Sequence, residues 1–279
     1  MKCLVGVAFM DNKSQKNIFY EHVKDSGKHI VFMHNTDDVG FVSRRHFHST
    51  VEIGFMINGC AGYIVNDNIE YIQSGEMSYI DSWNTHYFDI HKGNETFTLI
   101  LGTDYLHSFY HYYGKTDMVP YFDQSLRNVN ANKEILEILY QWEKVYDPND
   151  LLTNFGFVDL LLAKLVANYP IRYRKKNDVH DYYCLDKIIE YVNNNYMNDF
   201  TLDNVAKDLG YGMHYCSRVF HRCIDQDFRN YVNGVRIEMA SRIMRENPSK
   251  RKEDVAYECG FKSLKTFYRA YKRIYGIDL

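Results

Sequence analysis

The sequence predicts an α+β chain: an antiparallel β-barrel first, a helical segment next, and an all-α end made of two helix-turn-helix units. Three observations predict it. Between Ile30 and Leu101, short apolar or alternating runs recur with turn residues between them. From about Ala131 the apolar period becomes helical. Near the end, one helix-turn-helix pattern occurs twice. The 279 residues are 46% apolar, enough for two domains with their own cores.

The start of the chain carries little pattern. LVGVAFM reads as a strand, and KNIFYEHV as a helix or a strand. No small-residue cleavage site follows the short apolar stretch of MKCLVGVAFMDNKSQK, which speaks against a secretory signal. No run approaches the ~18 apolar residues of a membrane span. Cys3, Cys60, Cys184, Cys216, Cys223 and Cys259 lie far apart, three of them on expected buried helix faces. That spacing reads as reduced thiols serving as small apolar residues.

Seven runs then read as strands: IVFM, VEIGFMI, AGYIV, IEYI, MSYI, HYFDI and TFTLIL. Asn66-Asp67-Asn68 and Lys92-Gly93-Asn94 are turn material between them. Such spacing indicates an antiparallel barrel or sandwich. Within it, His46 and His48 alternate, so on one strand both rings face the interior, with Glu52 on the same face. His86 comes from another run. Three imidazoles and a carboxylate suit a transition metal, or they hydrogen-bond each other or an organic ligand. Tyr63, Tyr79, Trp83 and Tyr87 could line such a pocket, since stacking aromatics suit sugars and similar molecules; plain packing is the competing reading for each.

Ile135, Leu136, Ile138, Leu139 and Trp142 share a first helix, and a break falls at Asp147-Pro148-Asn149-Asp150. Phe157, Leu160, Leu161, Leu162, Leu165 and Val166 share a second, which stops before Pro170. This helix is apolar more than halfway round, so packing on the barrel leaves a face for a partner. IRYRKKNDVHD, residues 171–181, is charged and unpatterned, as domain connections tend to be. Its Arg172 and Arg174 read as solvated linker, with DNA phosphate as the other use. Leu185, Ile188, Ile189 and Val192 open the final domain.

In the last unit, Val255, Ala256 and Cys259 form one face of a short helix, and Gly260 stops it. Ser263 can cap the next helix, whose Phe267, Ala270, Tyr271 and Ile274 bury one stripe. In the earlier copy, Val205, Ala206 and Gly210 match at an offset of 50, and Arg218, Phe220 and Arg222 match at 51, so the second turn is one residue longer. Cys216, Val219, Phe220 and Cys223 form its stripe. Phe228, Tyr231, Val232, Val235, Met239 and Ile243 make a long helix joining the copies. From Phe200 onward the net charge is +5 on a remainder of −8, a basic end on an acidic body.

Two such units on one linking helix, with YVNGVRIEMA in the linker and VAYECGF opening the second, resemble the AraC/XylS family of bacterial transcription regulators over about the last 80 residues. The resemblance implies recognition helices in two successive major-groove segments. Carried over position by position, the base-facing residues are His214, Ser217 and Arg218, then Lys265, Thr266 and Arg269, with Tyr268 nearby. Arg222 and Lys272 are placed on phosphates. The sequence departs from the family at Asp225, where members often have Gly, and at Arg251 and Lys252, where a capping Ser and an apolar residue are usual. It also ends at Leu279, where members usually continue, so the second unit is expected to be the less stable.

Gly40-x5-His46-x-His48-x3-Glu52-x6-Gly59, followed by Gly75-x5-Asp81-x-Trp83-x2-His86, resembles the two motifs of the cupin barrel. The second motif departs: the family's proline falls at Asp81, its glycine at Trp83 and its asparagine at Ile90. The resemblances together imply this division: residues 1–128 a cupin-like ligand-sensing barrel, 129–170 a helical dimerisation segment, 171–181 a linker, and 182–279 the double helix-turn-helix. The expected function is promoter binding, as an activator, under control of a small molecule bound by His46, His48, Glu52, His86, Tyr63 and Trp83, with no catalytic residues. No cofactor is expected, a transition metal on His46, His48, Glu52 and His86 being the alternative. Expected partners are promoter DNA, the effector (a sugar among the candidates), a second copy of the chain and RNA polymerase, in the cytoplasm, with no membrane. The rival is a metal-dependent cupin enzyme, an oxygenase or isomerase, with a vestigial DNA end.

Overall fold

The computed structural model describes residues 19–20, 30–37, 41–43, 45–224, 226–276 and 279; LVGVAFM, most of KNIFYEHV, and Asp225 lie outside these. The described chain divides into two compact units, the first running to Asp178 and the second from Val179.

In the first unit the strands are β1 (Phe19–Tyr20), β2 (Ile30–Asp37), β3 (Phe41–Val42), β4 (His46–Phe47), β5 (Val51–Asn58), β6 (Cys60–Val65), β7 (Asn68–Gln73), β8 (Met77–Ile80), β9 (His86–Ile90) and β10 (Asn94–Leu101). All seven expected runs are strands. After α1 (His107–Tyr113) come β11 (Met118–Tyr121) and β12 (Ser125–Leu126). The pairings among the described residues are antiparallel and make two main sheets. One runs β1-β4-β9-β6-β7 with β3 also on β9; the other runs β12-β8-β5-β10-β2. No ladder joins these two sheets, so the expected barrel is two facing sheets rather than a closed cylinder. The β6–β7 hairpin turns on Asn66 and Asp67, both at positive φ (48° and 67°). That is the backbone a two-residue primed turn requires, and Asn and Asp tolerate it.

The β5–β8–β10 sheet is buried on both faces, which is why VEIGFMI reads as an almost unbroken apolar run. Ile53, Phe55, Met77, Tyr79, Phe97 and Leu99 point to one side, into a core shared with α2 (Val129–Glu143) and α3 (Leu151–Asn168). Their alternating neighbours Glu52, Gly54, Met56, Ser78, Thr96 and Thr98 point to the other side, between the sheets. The helices therefore pack on the outer face of one sheet. Two buried asparagines fix them there. Asn154 accepts from the Trp142 indole N–H (3.0 Å) and donates to the Asp147 carbonyl (2.8 Å). Asn132 donates to the carbonyls of Gly75 (2.8 Å) and Leu126 (3.0 Å) and accepts from the Tyr169 hydroxyl (2.6 Å).

α3 is long and apolar enough to cross a membrane by length and composition, which the reading of apolar runs did not anticipate; no other helix among the described residues is. Its Val158, Leu161, Leu162 and Leu165 are buried in the core above, while Leu152 is 87% exposed.

The stretch expected to be an unpatterned linker is ordered. Arg172–Lys175 forms β13, paired with β11, and Lys176 begins α4 (Lys176–Asn195). Arg174 pairs with the buried Asp81, while Arg172, still exposed, binds Asp123 (3.0 Å) at the surface; both partners belong to the first unit. A charged sequence hid this strand because its partners are carboxylates.

The second unit continues with α5 (Leu202–Asp208), α6 (Met213–Cys223), α7 (Phe228–Glu246), α8 (Lys252–Glu258) and α9 (Leu264–Tyr275). Cys184, Cys216, Cys223 and Cys259 are free thiols, as expected; Cys60 is disulfide-bonded and departs from that reading.

His34 on β2 hydrogen-bonds Glu95 through Nε2 (2.9 Å) and Glu143 through Nδ1 (2.7 Å), tying β10 to α2. Burial lowers its pKa, but the two carboxylates outweigh burial and raise it. Only the doubly protonated ring donates to both, so this stabilisation is complete below the unfolded value of 6.5 and fades as pH rises through the raised folded value. His34→Gln is expected to cost on the order of 1 kcal/mol at about pH 5.5 and clearly less at about pH 8.5, read from urea-unfolding midpoints.

Candidate nucleic-acid interface and barrel site

The second unit repeats one local design. Thr201 caps α5 with a reciprocal capping box to Asn204. The turn contains Gly210 at φ 74° and leads to α6, where Cys216, Val219 and Phe220 are buried. In the second copy α8 ends at Gly260 (φ 84°), and Ser263 caps α9 by accepting from the Thr266 N–H. Phe267, Ala270 and Ile274 are buried there. Arg251 occupies the cap position of α8 without a side-chain cap, and Glu253 and Asp254 in the first turn supply favourable negative charge instead.

The apolar stripes leave the expected reading faces outward. His214 and Arg218 are exposed on α6, with Ser217 half-buried between them. Lys265, Tyr268, Arg269 and Lys272 are exposed on α9, with Thr266 half-buried near its start. Arg218, Lys265 and Arg269 make no ion pair within 4.0 Å among the described residues, so their charge is available to a partner. Arg218 lies over the Tyr215 ring at 5.5 Å, which orients its guanidinium. Arg222 differs from expectation. It pairs with Asp181 on α4, although its side chain stays 49% exposed. α7 spans about 28 Å at ~1.5 Å per residue, close to the ~34 Å of one DNA turn.

Sequence reasoning missed Arg236. Its guanidinium donates from Nε to the Tyr196 carbonyl (2.6 Å) and from an NH2 group to the Asn198 carbonyl (2.8 Å). The third neighbour in that loop, Met197, meets the second turn: a Cβ at Gly260 would stand 2.6 Å from its carbonyl oxygen.

In the first unit, the expected donors converge. The ligand atoms of His46, His48, Glu52 and His86 all lie within 4.8 Å of one another. They do so differently from the single-strand reading. The chain leaves β4 after Phe47 and re-enters the other sheet as β5, so Glu52 reaches the histidines from across the gap. His46 and His86 face each other on β4 and β9. Glu52 Oε2 lies 3.2 Å from Nε2 of both His48 and His86. Burial alone would raise the Glu52 pKa; the bonds from His48 and His86 outweigh it and hold it low. His86 is lowered to about 4, first by burial and then by His46, so at neutral pH it carries one N–H. The Asn84 carbonyl, 2.8 Å from Nδ1, can only accept and takes that proton. Nε2 donates to Glu52 only when the ring takes a second proton; otherwise it turns a lone pair toward the carboxylate, an arrangement that a shared cation satisfies. Fixed Nδ1–H and converging Nε2 atoms fit a transition metal.

Beside this cluster a cavity of about 290 Å³ lies between the sheets, with His46 and Glu52 in its wall. Met56, Phe88, Ile90 and Ile100 make it largely apolar. The Ser78 and Thr96 hydroxyls in its wall are buried without a partner among the described residues. Both residues alternate with core residues along their strands, the signal that could have located them. The expected aromatics do not line the cavity. Tyr63 is fully buried, its hydroxyl donating to the Gln124 carbonyl (2.7 Å), and Tyr79 belongs to the core. Trp83 is 8% exposed at φ 68°, so it adopts the left-handed backbone of the family's glycine while its N–H donates to the His48 carbonyl.

Residues 205–278 match the family model described as a helix-turn-helix domain. This end of the chain is an AraC-type helix-turn-helix domain. The uncharacterized HTH-type transcriptional regulator YtdP of Bacillus subtilis is 26% identical over 152 residues, 54% of this chain but 18% of YtdP. The activator AarP of Providencia stuartii is 25% identical over 109 residues, 39% of the chain and 80% of AarP. Apo ToxT from Vibrio cholerae superposes with a TM-score of 0.58 at 14% identity, over 90% of this chain and 95% of ToxT. An unsaturated fatty acid bound form of ToxT gives 0.53 at 13% identity, over 89% and 92%. The chain therefore shares the fold of ToxT along nearly its whole length, and it spans under a fifth of YtdP.

Gly210→Ala is expected to cost about 1 kcal/mol, the penalty of a side chain at positive φ. Gly260→Ala is expected to cost at least twice as much, because its Cβ also meets backbone at Met197. Paired thermal melts of the two variants check the difference.

Proposed function

We propose that the chain is a cytoplasmic activator of transcription whose barrel cavity takes a small-molecule effector and whose two recognition helices bind promoter DNA. The observation that carries it is the repeated outward-facing cationic surface: Arg218 on one capped unit, Lys265 and Arg269 on the other, joined by one continuous helix. Arg218 and Arg269 read bases, Ser217 and Thr266 add hydroxyl contacts, and Lys272 holds phosphate. RNA polymerase is the expected partner of an activator. The effector has an apolar body and a polar group, since the cavity is largely apolar and its polar atoms are grouped at Glu52, His46, Ser78 and Thr96. That favours such a molecule over a sugar, for which the stacking aromatics lie elsewhere. The fatty acid bound to ToxT, a relative in fold, supports the same choice.

The division proposed is a sensing barrel over residues 1–128, a dimerisation segment over 129–170, a connection at 171–181 and a DNA-binding domain over 182–279. The exposed Leu152 and Leu160 of α3 support a second copy as its partner. Leu152→Glu together with Leu160→Glu is expected to shift native mass spectra from dimer to monomer.

A second reading rests on the four converging donors. His46, His48, Glu52 and His86 would hold a transition metal, which supplies a Lewis-acidic position to the cavity. The chain's own part is to present Nε2 atoms fixed by backbone carbonyls and a carboxylate beside them. In a cupin oxygenase or isomerase, His46→Ala abolishes metal binding and turnover; in the regulator it alters only the response of DNA binding to effector.

Arg218→Ala and Arg269→Ala are each expected to weaken binding to a selected promoter duplex by ~10- to 100-fold, the ~1–3 kcal/mol of a base contact. Arg222→Ala is expected to lower the melting temperature more than it lowers affinity. Fluorescence anisotropy at fixed salt, beside thermal melts, separates the two. Equal affinity losses with no loss of stability for Arg222→Ala would return that residue to the interface.

A further inference from the structure

The second unit contains a cleft of about 440 Å³, and of the residues lining it the DNA-binding reading uses only Thr266. Its walls come from the loop before α5, the first half of α7 and the turn before α9. The charge there is unbalanced. Arg229, Arg236 and Lys262 line the cleft against one carboxylate, Asp199. Asp199 is already paired with Lys262. Arg236 is bound to neutral carbonyls, and Arg229 has no ion pair within 4.0 Å among the described residues. Two guanidinium groups thus share a concavity with no counter-charge of their own. Burial pulls the Arg236 pKa down; Asp199 pulls it up and the neighbouring Arg229 down again, and burial prevails.

A second observation points the same way. Asn233 lines the cleft and is 93% buried, since its exposure is 7%, yet its amide has no hydrogen-bond partner among the described residues. The amide is left facing the cleft, where a bound group can hydrogen-bond to it. The wall also carries three aromatic rings, Phe200, Phe228 and Phe261, beside Leu202 and Val232. Phe228 and Phe261 are 8% and 3% exposed, so they present ring surface only toward the cleft.

We propose that this cleft binds a small organic carboxylate, its oxygens on Arg229 and the Asn233 amide and its apolar body against the three phenylalanines. A guanidinium fork matches a planar carboxylate, and an amide N–H completes its hydrogen bonding. A bare inorganic anion would leave the aromatic wall unused, and the cavity in the barrel is a separate site.

The test is isothermal titration calorimetry of the full chain with 2-naphthoate as the probe, with 2-naphthamide and inorganic phosphate as controls. The expected result is saturable one-to-one binding of naphthoate, at least tenfold weaker for the amide, for Arg229→Gln and for Asn233→Leu. Arg229 is exposed and its variant is expected to keep the native melting temperature, so it carries the test if Asn233→Leu does not fold. Met56→Trp, which fills the barrel cavity, is expected to leave naphthoate binding unchanged. Three results would each overturn the assignment: no saturable heat, naphthoate and naphthamide binding alike, or binding lost in Met56→Trp and kept in Arg229→Gln. Phosphate binding as tightly as naphthoate and displaced by duplex DNA would also overturn it, by making the cleft a contact for the DNA backbone.

Discussion

The DNA-binding unit depends on one contact, the grip of Arg236 on the carbonyls of Tyr196 and Asn198. These carbonyls follow the end of α4, where backbone acceptors lack helical partners. A guanidinium on α7 satisfies two of them at once. Between them Met197 leaves room only for a glycine from the second turn, at Gly260. Lys262, two residues on, pairs with Asp199. Four consecutive residues, 196–199, therefore meet the linking helix and the second helix-turn-helix together. α7 also packs into both copies, with Phe228 and Tyr231 against Phe220 and with Ile237 and Ala240 in the core of the second, and the junction adds a polar tie to that packing.

The barrel obeys a different constraint, a sheet buried on both sides. β5, β8 and β10 give alternate residues to a helix-covered core and to the space between the sheets. One side is filled by rings and branched chains, locked further by Trp142 and Asn154. The other is filled incompletely. Gly54 omits a side chain where a Cβ would stand 2.6 Å from the Ser78 hydroxyl, and that omission helps to leave the cavity open. The cavity thus follows from small and polar residues set at period two in an otherwise apolar sheet. It adjoins the four converging donors because Glu52 occupies the same phase as Gly54 and Met56.

Much of this was legible in the sequence, and the reason is periodicity. The seven strands, the break at Asp147–Asp150, the paired glycines and the unequal turns all leave marks at spacing two, at helical spacing, or at a required backbone conformation. His46, His48, Glu52 and His86 were legible as a set, although not as residues of two sheets, because the change of sheet occurs within three polar residues. What stayed hidden was polar matching at long range. Arg174 with Asp81, Arg222 with Asp181, and Arg236 with bare carbonyls look in sequence like solvated charge or DNA contacts. Nothing local distinguishes a cation that meets a phosphate from one that meets a buried carboxylate. The aromatics erred in the opposite direction: Tyr63 and Tyr79 are apolar enough to be core and polar enough to be imagined as ligand contacts, and burial decided for the core.

Helix capping bears on the expectation that the second unit is the weaker. In the first copy the leading helix α5 is capped reciprocally, and the reading helix α6 starts at Gly212 with no side-chain cap. In the second copy this is inverted. α8 lacks a side-chain cap, while α9 has Ser263 at its start and Gly276 in the left-handed conformation at its end. A cap is worth roughly 1 kcal/mol, and a favourable charge in the first turn several tenths. Each copy therefore carries one well-capped helix, and the local terms nearly balance. Any difference in stability between the copies must then come from the junction. The second copy leans on residues 196–199 through Gly260 and Lys262, whereas the first contributes that loop from its own α4. The order of dependence is fixed by connectivity: the first copy can hold its core without the second, but the second borrows part of its support from the first.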